Sequence, residues 1–343
     1  MIDGEGLHGG DSPPEAPVDL GIPGLADYRV VGTGGFATVY SARDDGFDRT
    51  VAVKVMHNLD GDGRRRFDRE RRIMGRLAAH PNVLTPFQAG YTAQGAPYLV
   101  MEFIDGGSLD DELRRHGPLA WTVAVDHTVA ATSALAHAHA HDVLHRDVKP
   151  ANIMVADGTA KLTDFGIAAI RGIPASQVAY TLAHSPPETF AHGPDVRDER
   201  SDLYSMGSTL YTLLTGRAPF EITGADSQQA YMFRIIDGAR PPLPDGVAPP
   251  EVSAFLERAL AQDPADRPAT ATEFGHHLAQ LRAGSGLAAG GLALALPAPT
   301  TPNPATPERP SGPPPSPSPD PEVNGAGTVS DGSAATLAAD PAV

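Results

Sequence analysis

The chain has no cysteine among its 343 residues, one tryptophan, and only 6% aromatic residues. Without cysteine there is no disulfide, no thiolate-bound zinc and no thiol nucleophile, and the composition is compatible with a reducing cytosol. Positive charge is also scarce: 26 Lys and Arg stand against 42 Asp and Glu, a formal charge of −16. Non-specific nucleic-acid binding needs clustered positive charge, so the overall acidity argues against that class. The acidity is uneven, with −5 in residues 1–24, −4 in residues 283–343 and −7 between them. It serves solubility and would also suit basic peptide substrates. Long apolar runs are missing too. Gly286–Leu296 (GLAAGGLALAL) ends at Pro297, well short of the ~20 residues that span a bilayer, and no basic cluster follows it. It reads as a linker or short docking segment without stable membrane insertion. The opening MIDGEGLHGG has neither a basic region nor an apolar core, so no secretory signal is expected and the expected location is the cytoplasm.

What is present falls into three parts. Residues 1–24 are rich in Gly, Pro and Asp, lack periodicity, and read as a disordered leader. Leu25–Val31, Ala37–Ala42, Thr50–Met56 (TVAVKVM) and Pro97–Phe103 (PYLVMEF) read as strands. Between the last two, Gly63–Leu77 sets Phe67, Ile73, Met74 and Leu77 at helical spacing among charges. Beyond Gly106-Gly107 the pattern turns helical, with Leu109–Arg115 and then an Ala-rich segment, Trp121–His141. A strand-rich block followed by a helical one predicts an α+β protein of two lobes with a cleft between them, the N-lobe about 25–104 and the C-lobe about 105–282. From 283 the chain is Ala/Gly-rich and then Pro-rich, ending small and polar. It is expected to be a disordered spacer with polyproline II character, and its PxxP spacings carry only a weak signal for partner contacts.

The chemistry concentrates in LHRDVKPANIM, Leu144–Met154, and in TDFG ten residues on. Together they supply what phosphoryl transfer from ATP requires. Asp147 can orient a hydroxyl, Lys149 brings a cation to the moving phosphoryl, and Asn152 and Asp164 offer oxygen to magnesium. One amide and one carboxylate suit an ion that takes few protein oxygens. Upstream, Gly32-Thr33-Gly34-Gly35-Phe36-Ala37-Thr38-Val39 lies between two strands, where small residues let backbone N–H groups approach phosphates and Phe36 caps the tip. Lys54 sits inside an apolar strand, where an unpaired ammonium is costly. Glu70 is its expected partner, since it shares a helical face with Phe67 and Met74.

These motifs, over about residues 25–282, resemble the eukaryotic-like (Hanks-type) serine/threonine protein kinases of bacteria. The resemblance implies the two-lobed protein-kinase fold and transfer of the γ-phosphoryl of Mg–ATP to Ser/Thr hydroxyls of proteins, the kinase itself included. Magnesium is the implied ion, with manganese as a substitute. The departure from GxGxxG is Ala37 at the third glycine, beside a retained Gly35. Val39, Ala52 and Met154 would sandwich adenine, Met101 would be the gatekeeper, and the backbone of Glu102 and Ile104 would bind the adenine edge. Ser185-Pro186-Pro187-Glu188 is similar to the family's Ala-Pro-Glu motif, with Arg267 the arginine that pairs with its glutamate. Asp202 resembles the aspartate that anchors the catalytic loop, and His145 the histidine that packs under Phe165.

Two rival readings remain. A pseudokinase scaffold would typically have lost Lys54, Asp147 or Asp164, and all three stand. A small-molecule phosphotransferase would not need Lys149, Glu188 and Asp202. His137, His139 and His141 alternate as zinc ligands sometimes do, but no further ligand follows by spacing, so they read as core or surface residues. In relatives, the arginine before the catalytic aspartate, here Arg146, is commonly neutralised by an activation-segment phosphate. Between Asp164 and Glu188 there is no other acid. Thr181 is implied to contact Asp147 and Lys149, and Ser185 adjoins the Pro-Pro-Glu anchor, which leaves Ser176 as the best autophosphorylation candidate. The competing reading is a constitutively ordered short loop with Arg146 satisfied by backbone carbonyls or water.

Overall fold

Alternation explains the first sheet. In a computed structural model, strands β1 (Leu25–Thr33), β2 (Ala37–Asp44), β3 (Arg49–Met56), β4 (Pro86–Tyr91) and β5 (Pro97–Glu102) form one antiparallel sheet in the order β1-β2-β3-β5-β4. The structure describes residues 18–34, 37–57, 61–165, 183–193, 196–220, 228–238 and 240–286, without the side chains at 61–63, 65, 66, 69, 70, 192 and 228. Successive residues of a strand point to opposite faces. Val51, Val53 and Val55 therefore join Tyr98 and Val100 on one face, and Ala52 joins Leu99 and Met101 on the other. Lys54 belongs by parity to the second face, over which helix α1 (Gly61–Leu77) lays its buried Phe67, Met74 and Leu77.

The C-terminal lobe is helical. Helix α2 (Leu109–His116) begins at a capping box of Ser108 and Asp111, and α3 (Trp121–His139) follows. The hairpin β6 (Ile153–Ala156) and β7 (Thr159–Leu162) lies between α3 and the later helices. Those are α4 (Pro187–His192), α5 (Glu199–Thr215), α6 (Gln228–Asp237), α7 (Pro250–Ala259) and α8 (Ala271–Gly284). Helices α3 and α5 are buried almost all round. Both bury hydroxylated residues among their apolar ones: Thr128, Thr132, Ser205, Thr209 and Thr212 each donate to the carbonyl four residues back at 2.7–3.2 Å. Such back-bonding satisfies a hydroxyl without a neighbour. It also lets backbones approach: a Cβ on Gly207 of α5 would stand 3.0 Å from that of Ala259 on α7.

The elements follow the sequence pattern with differences beyond shifted ends, the first being the β6–β7 hairpin, which was not foreseen inside the helical block. Strand β4 was not foreseen either, because Pro86, Gly90 and an irregular register obscure its alternation. Residues 18–24, read as the end of the leader, lie against the sheet, with Leu20 and Ile22 buried and Ala93 N donating to Leu20 O at 3.4 Å. Three alternating apolar residues among Gly and Pro were too short a signal. The last helix also runs two residues past the expected end at 282. The rest of the leader, the proline-rich tail, and Gly286–Leu296 from residue 287 on lie outside the described residues. Among the described residues, no helix is long and apolar enough to cross a membrane.

A histidine stack ties α3 to the connection between α1 and β4. His80 stacks on His137 at 5.0 Å between ring centroids, and His137 lies 4.5 Å from His141. His80 Nδ1 accepts the Asn82 N–H at 3.2 Å, which puts its proton on Nε2, facing Ser133 Oγ at 3.1 Å. Burial, and then the neighbouring His137, push His80 down to about 4. The unfolded chain, with an ordinary value near ~6.5, therefore takes up the proton first. The stabilisation is complete above that value and is lost as pH falls through the interval down to the folded value. The thermal midpoint of the wild type should accordingly fall between pH 7 and pH 5, and fall less in His80→Gln, as measured by circular dichroism.

Candidate active site

The segment after α3 is held by one carboxylate. Asp202, in the first turn of α5 and 3% exposed at its side chain, receives the backbone N–H of His145 at 2.8 Å and that of Arg146 at 2.7 Å. His139 Nε2 meets the same carboxylate at 2.9 Å. Burial alone would raise the Asp202 pKa, but the hydrogen bond and charge of His139, together with the Arg146 N–H, outweigh it and hold the group below the usual carboxylate value. These bonds support an uncommon backbone: Arg146 has φ 68° and Asp164 φ 64°, in the left-handed region that L-residues seldom enter. His145 continues the frame. Its Nδ1 accepts the Asp147 N–H at 3.3 Å, its Nε2 donates to Thr163 O at 2.8 Å, and its ring lies 4.8 Å from that of Phe165.

Asp147, Lys149 and Asn152 come together as one bonded group. Lys149 Nζ donates to Asp147 Oδ2 at 2.8 Å. Asn152 Nδ2 donates to the Asp147 carbonyl at 2.7 Å and to Oδ2 at 3.0 Å. Both amide hydrogens are thereby used, which leaves the Asn152 side-chain oxygen as the atom it can give a cation. Thr163 N donates to Asn152 O at 3.0 Å, so Asn152 and Asp164 sit one residue apart across a backbone bond.

Lys54 Nζ donates to Asp164 Oδ2 at 2.7 Å, with the lysine side chain 11% exposed. Burial would raise the Asp164 pKa, but the charge and hydrogen bond of Lys54 hold it below the usual value. The expected Lys54 partner, Glu70, has its side chain outside the described residues. Of the glycine loop, Gly32, Thr33, Gly34 and Ala37 are described, while Gly35 and Phe36 are not. Among the described residues, a Cβ on Gly32 would meet nothing within 4 Å, and one on Gly34 only Ala37 O at 3.7 Å. The packing of the described residues therefore does not demand glycine at these two positions.

Val39, Ala52, Met101, Ile104 and Met154, drawn from both lobes, lie in a single apolar cluster. Glu102 N is already spent on Thr85 O at 2.9 Å, and Gly107 N donates to Ile104 O at 3.4 Å. Sequence reasoning missed Lys161, which grips both oxygens of Glu102 at 2.9 and 2.6 Å and so ties β7 to the end of β5. It missed His139 as a partner of Asp202 as well. His139 and His141 have employment within the fold, the latter bonding the His137 carbonyl at 2.8 Å. Among the described residues no group of three or more His, Cys, Asp or Glu is arranged to hold a metal. Ser176 and Thr181 lie outside the described residues.

Glu188 pairs with Arg267 through two bonds, 2.9 and 2.8 Å, with the arginine side chain 0% exposed. Arg267 also reaches the carbonyls of Ala261, Arg200 and Gln262. Ser201 Oγ donates to Glu188 Oε1 at 2.7 Å.

Residues 25–278 match the protein kinase domain. The chain belongs to the protein kinase family. Its sheet-bearing N-terminal lobe and helical C-terminal lobe are those of the two-lobed kinase fold. Serine/threonine-protein kinase PknK of Mycobacterium tuberculosis is 40% identical over 282 residues, covering 81% of this chain and 25% of that protein. Serine/threonine-protein kinase PknB of Mycolicibacterium smegmatis is 37% identical over 269 residues, 75% of this chain and 42% of that protein. PrkC of Bacillus subtilis, also a serine/threonine-protein kinase, is 33% identical over 257 residues, 71% of this chain and 38% of that protein. The chain thus spans a quarter to under half the length of these kinases.

The buried Glu188–Arg267 pair yields a stability prediction. Removing one partner leaves the other charge buried and alone, which costs about 3–5 kcal/mol. Arg267→Met should lower the unfolding free energy by that amount in urea titrations followed by tryptophan fluorescence.

Proposed function

We propose that the chain is an ATP-dependent protein serine/threonine kinase acting on Ser/Thr hydroxyls of proteins, itself among them, with residues 25–282 as the catalytic domain. The bonded group of Asp147, Lys149 and Asn152 carries this reading. Asp147 is the residue that orients the acceptor hydroxyl and takes its proton late in transfer, with Lys149 and Asn152 fixing the carboxylate. Lys149 offers its ammonium to the transferring phosphoryl. Lys54 offers its own to the nucleotide phosphates, and the glycines at 32 and 34 leave open space for those phosphates over the loop backbone. The apolar cluster of Val39, Ala52, Met101 and Met154 suits a flat base between the lobes.

The donor set fits magnesium. Asn152 keeps its amide oxygen, Asp164 is held ionised, and its second oxygen is not the one bonded to Lys54. Such an ion, when bound, neutralises charge on the phosphate oxygens. Manganese suits the same oxygens. Phosphorylation of Ser176, with Arg146 as the phosphate's partner, is the proposed route to activation. The absence of cysteine and of a membrane-crossing helix among the described residues supports a cytoplasmic site of action.

Two substitutions separate chemistry from binding. Asp147→Asn should lower kcat by about 10²–10⁴-fold with nucleotide affinity nearly unchanged, because the carboxylate acts on the acceptor. Asp164→Asn should weaken Mg-nucleotide binding and turnover together. Radiolabel transfer to a generic basic protein, with nucleotide titrations in parallel, reads both. Wild-type turnover in Asp147→Asn would overturn the assignment.

A further inference from the structure

Arg197 stands immediately before Asp198, the residue that caps α5, and belongs to none of the motifs above. Its Nη1 donates to the carbonyl of Arg146 at 2.5 Å, a short charge-assisted bond. Its Nε donates to Thr189 Oγ1 at 2.9 Å, and Nη2 reaches Ser185 Oγ at 3.5 Å. Among the described residues it makes no ion pair within bonding distance. Burial lowers its pKa below that of a free arginine, and the nearby charges of Asp202 and Asp147 pull it back.

The carbonyl of Arg146 and the N–H of Asp147 belong to the same planar peptide unit. That unit is gripped at both ends: Arg197 holds the oxygen at 2.5 Å, and His145 Nδ1 holds the N–H at 3.3 Å. On the preceding peptide, Asp202 holds the Arg146 N–H at 2.7 Å. Turning the Arg146–Asp147 plane would change ψ of Arg146 and φ of Asp147, and so swing the Asp147 carboxylate. Arg146 already sits at φ 68°, where the surroundings must supply the restraint. Thr189 and Ser185 flank Pro186-Pro187-Glu188, the stretch that Glu188 pins to Arg267. The fork of one guanidinium thus connects that anchored segment to the peptide plane in front of Asp147.

We infer that Arg197 is a positioning residue for phosphoryl transfer, setting the orientation of Asp147 through the Arg146 carbonyl and coupling it to the seating of the 185–189 segment. This inference rests on the proposed kinase function. Its effect is on kcat, because the nucleotide is held elsewhere, by Lys54 and the apolar cluster. Lysine is a poor substitute, since a single ammonium cannot match the three directions of the fork.

The test uses the full-length chain, Mg-ATP and a generic basic protein as acceptor, with thermal melts and nucleotide titrations on each variant. Arg197→Met should lower kcat by about 10–100-fold, as displacement of a reacting group by an ångström does. Nucleotide affinity should stay within about twofold, since the lost interaction is one of orientation and not of ground-state binding. Arg197→Lys should recover part of the loss, and it supplies the reading if Arg197→Met fails to fold. Thr189→Val, which removes only the Nε acceptor, should lower kcat by a smaller factor and add little on top of Arg197→Met. Folded Arg197→Met and Arg197→Lys proteins with wild-type kcat and only lower melting midpoints would overturn the inference. So would parallel losses of kcat and nucleotide affinity. Asp147→Asn, run beside them, distinguishes the two failures. If it is inactive while the Arg197 variants are normal, the kinase reading survives and this role does not; if it matches wild type, the kinase reading itself fails.

Discussion

The buried carboxylate of Asp202 is the constraint on which the site depends. A carboxylate withdrawn from water must find donors or lose its charge, and this one finds the two backbone N–H groups of His145 and Arg146 together with His139. Burial, which opposes the charged form, makes the arrangement selective: the segment has little freedom to leave without stranding the acid. Everything downstream inherits that fixed start. His145 turns its ring to bond Thr163 and to lie against Phe165, which sets the approach to Asp164, and the chain emerging from Arg146 delivers Asp147 to Lys149 and Asn152.

A second carboxylate does similar work one layer further out. Glu188 and Arg267 are 79 residues apart in sequence and fully engaged with each other. The arginine spends its remaining donors on three carbonyls from two segments, at Arg200 and at Ala261-Gln262. Charge pairs in such places rarely add much net stability over an apolar alternative, but they define geometry, because each hydrogen bond has a direction. In this lobe the apolar contacts supply cohesion and the buried ions supply register. The N-terminal lobe relies on the opposite balance: its described surface ion pairs, such as Arg43 with Asp27, are half-exposed and contribute little.

How much of this was legible in the sequence depended on whether the signal was local. Asp147, Lys149, Asn152 and Asp164 lie within eighteen residues, and the chemistry they serve restricts both residue type and spacing. Strands β2, β3 and β5 were visible because valines and small apolar residues alternate or run continuously there. The partners of distant residues were not. Lys161 and Glu102 are separated by 59 positions, Arg197 and Arg146 by 51, and His139 and Asp202 by 63. Nothing in the neighbourhood of either member of such a pair announces the other, since a salt-bridging lysine on a short strand looks like any solvent-facing lysine. His139 was hidden for another reason. It sits in a run of alternating Ala and His, where the three histidines look equivalent, and only the side of α3 that faces α5 distinguishes it. Strand β4 escaped because its glycine and proline carry the marks of a loop.

The hydroxyl-lined helices at the centre of the C-terminal lobe have a calorimetric consequence. Heat capacity rises on unfolding in proportion to the apolar surface exposed and is reduced by polar surface. Where other core helices bury leucine and isoleucine, α3 buries alanine, threonine and serine in much of its length, and α5 interleaves serine, threonine and glycine with its leucines and tyrosines. Unfolding α3 therefore uncovers comparatively little hydrocarbon for each residue released. Its share of the heat-capacity increment should be small beside that of α5 and the leucine- and phenylalanine-bearing elements packed around it.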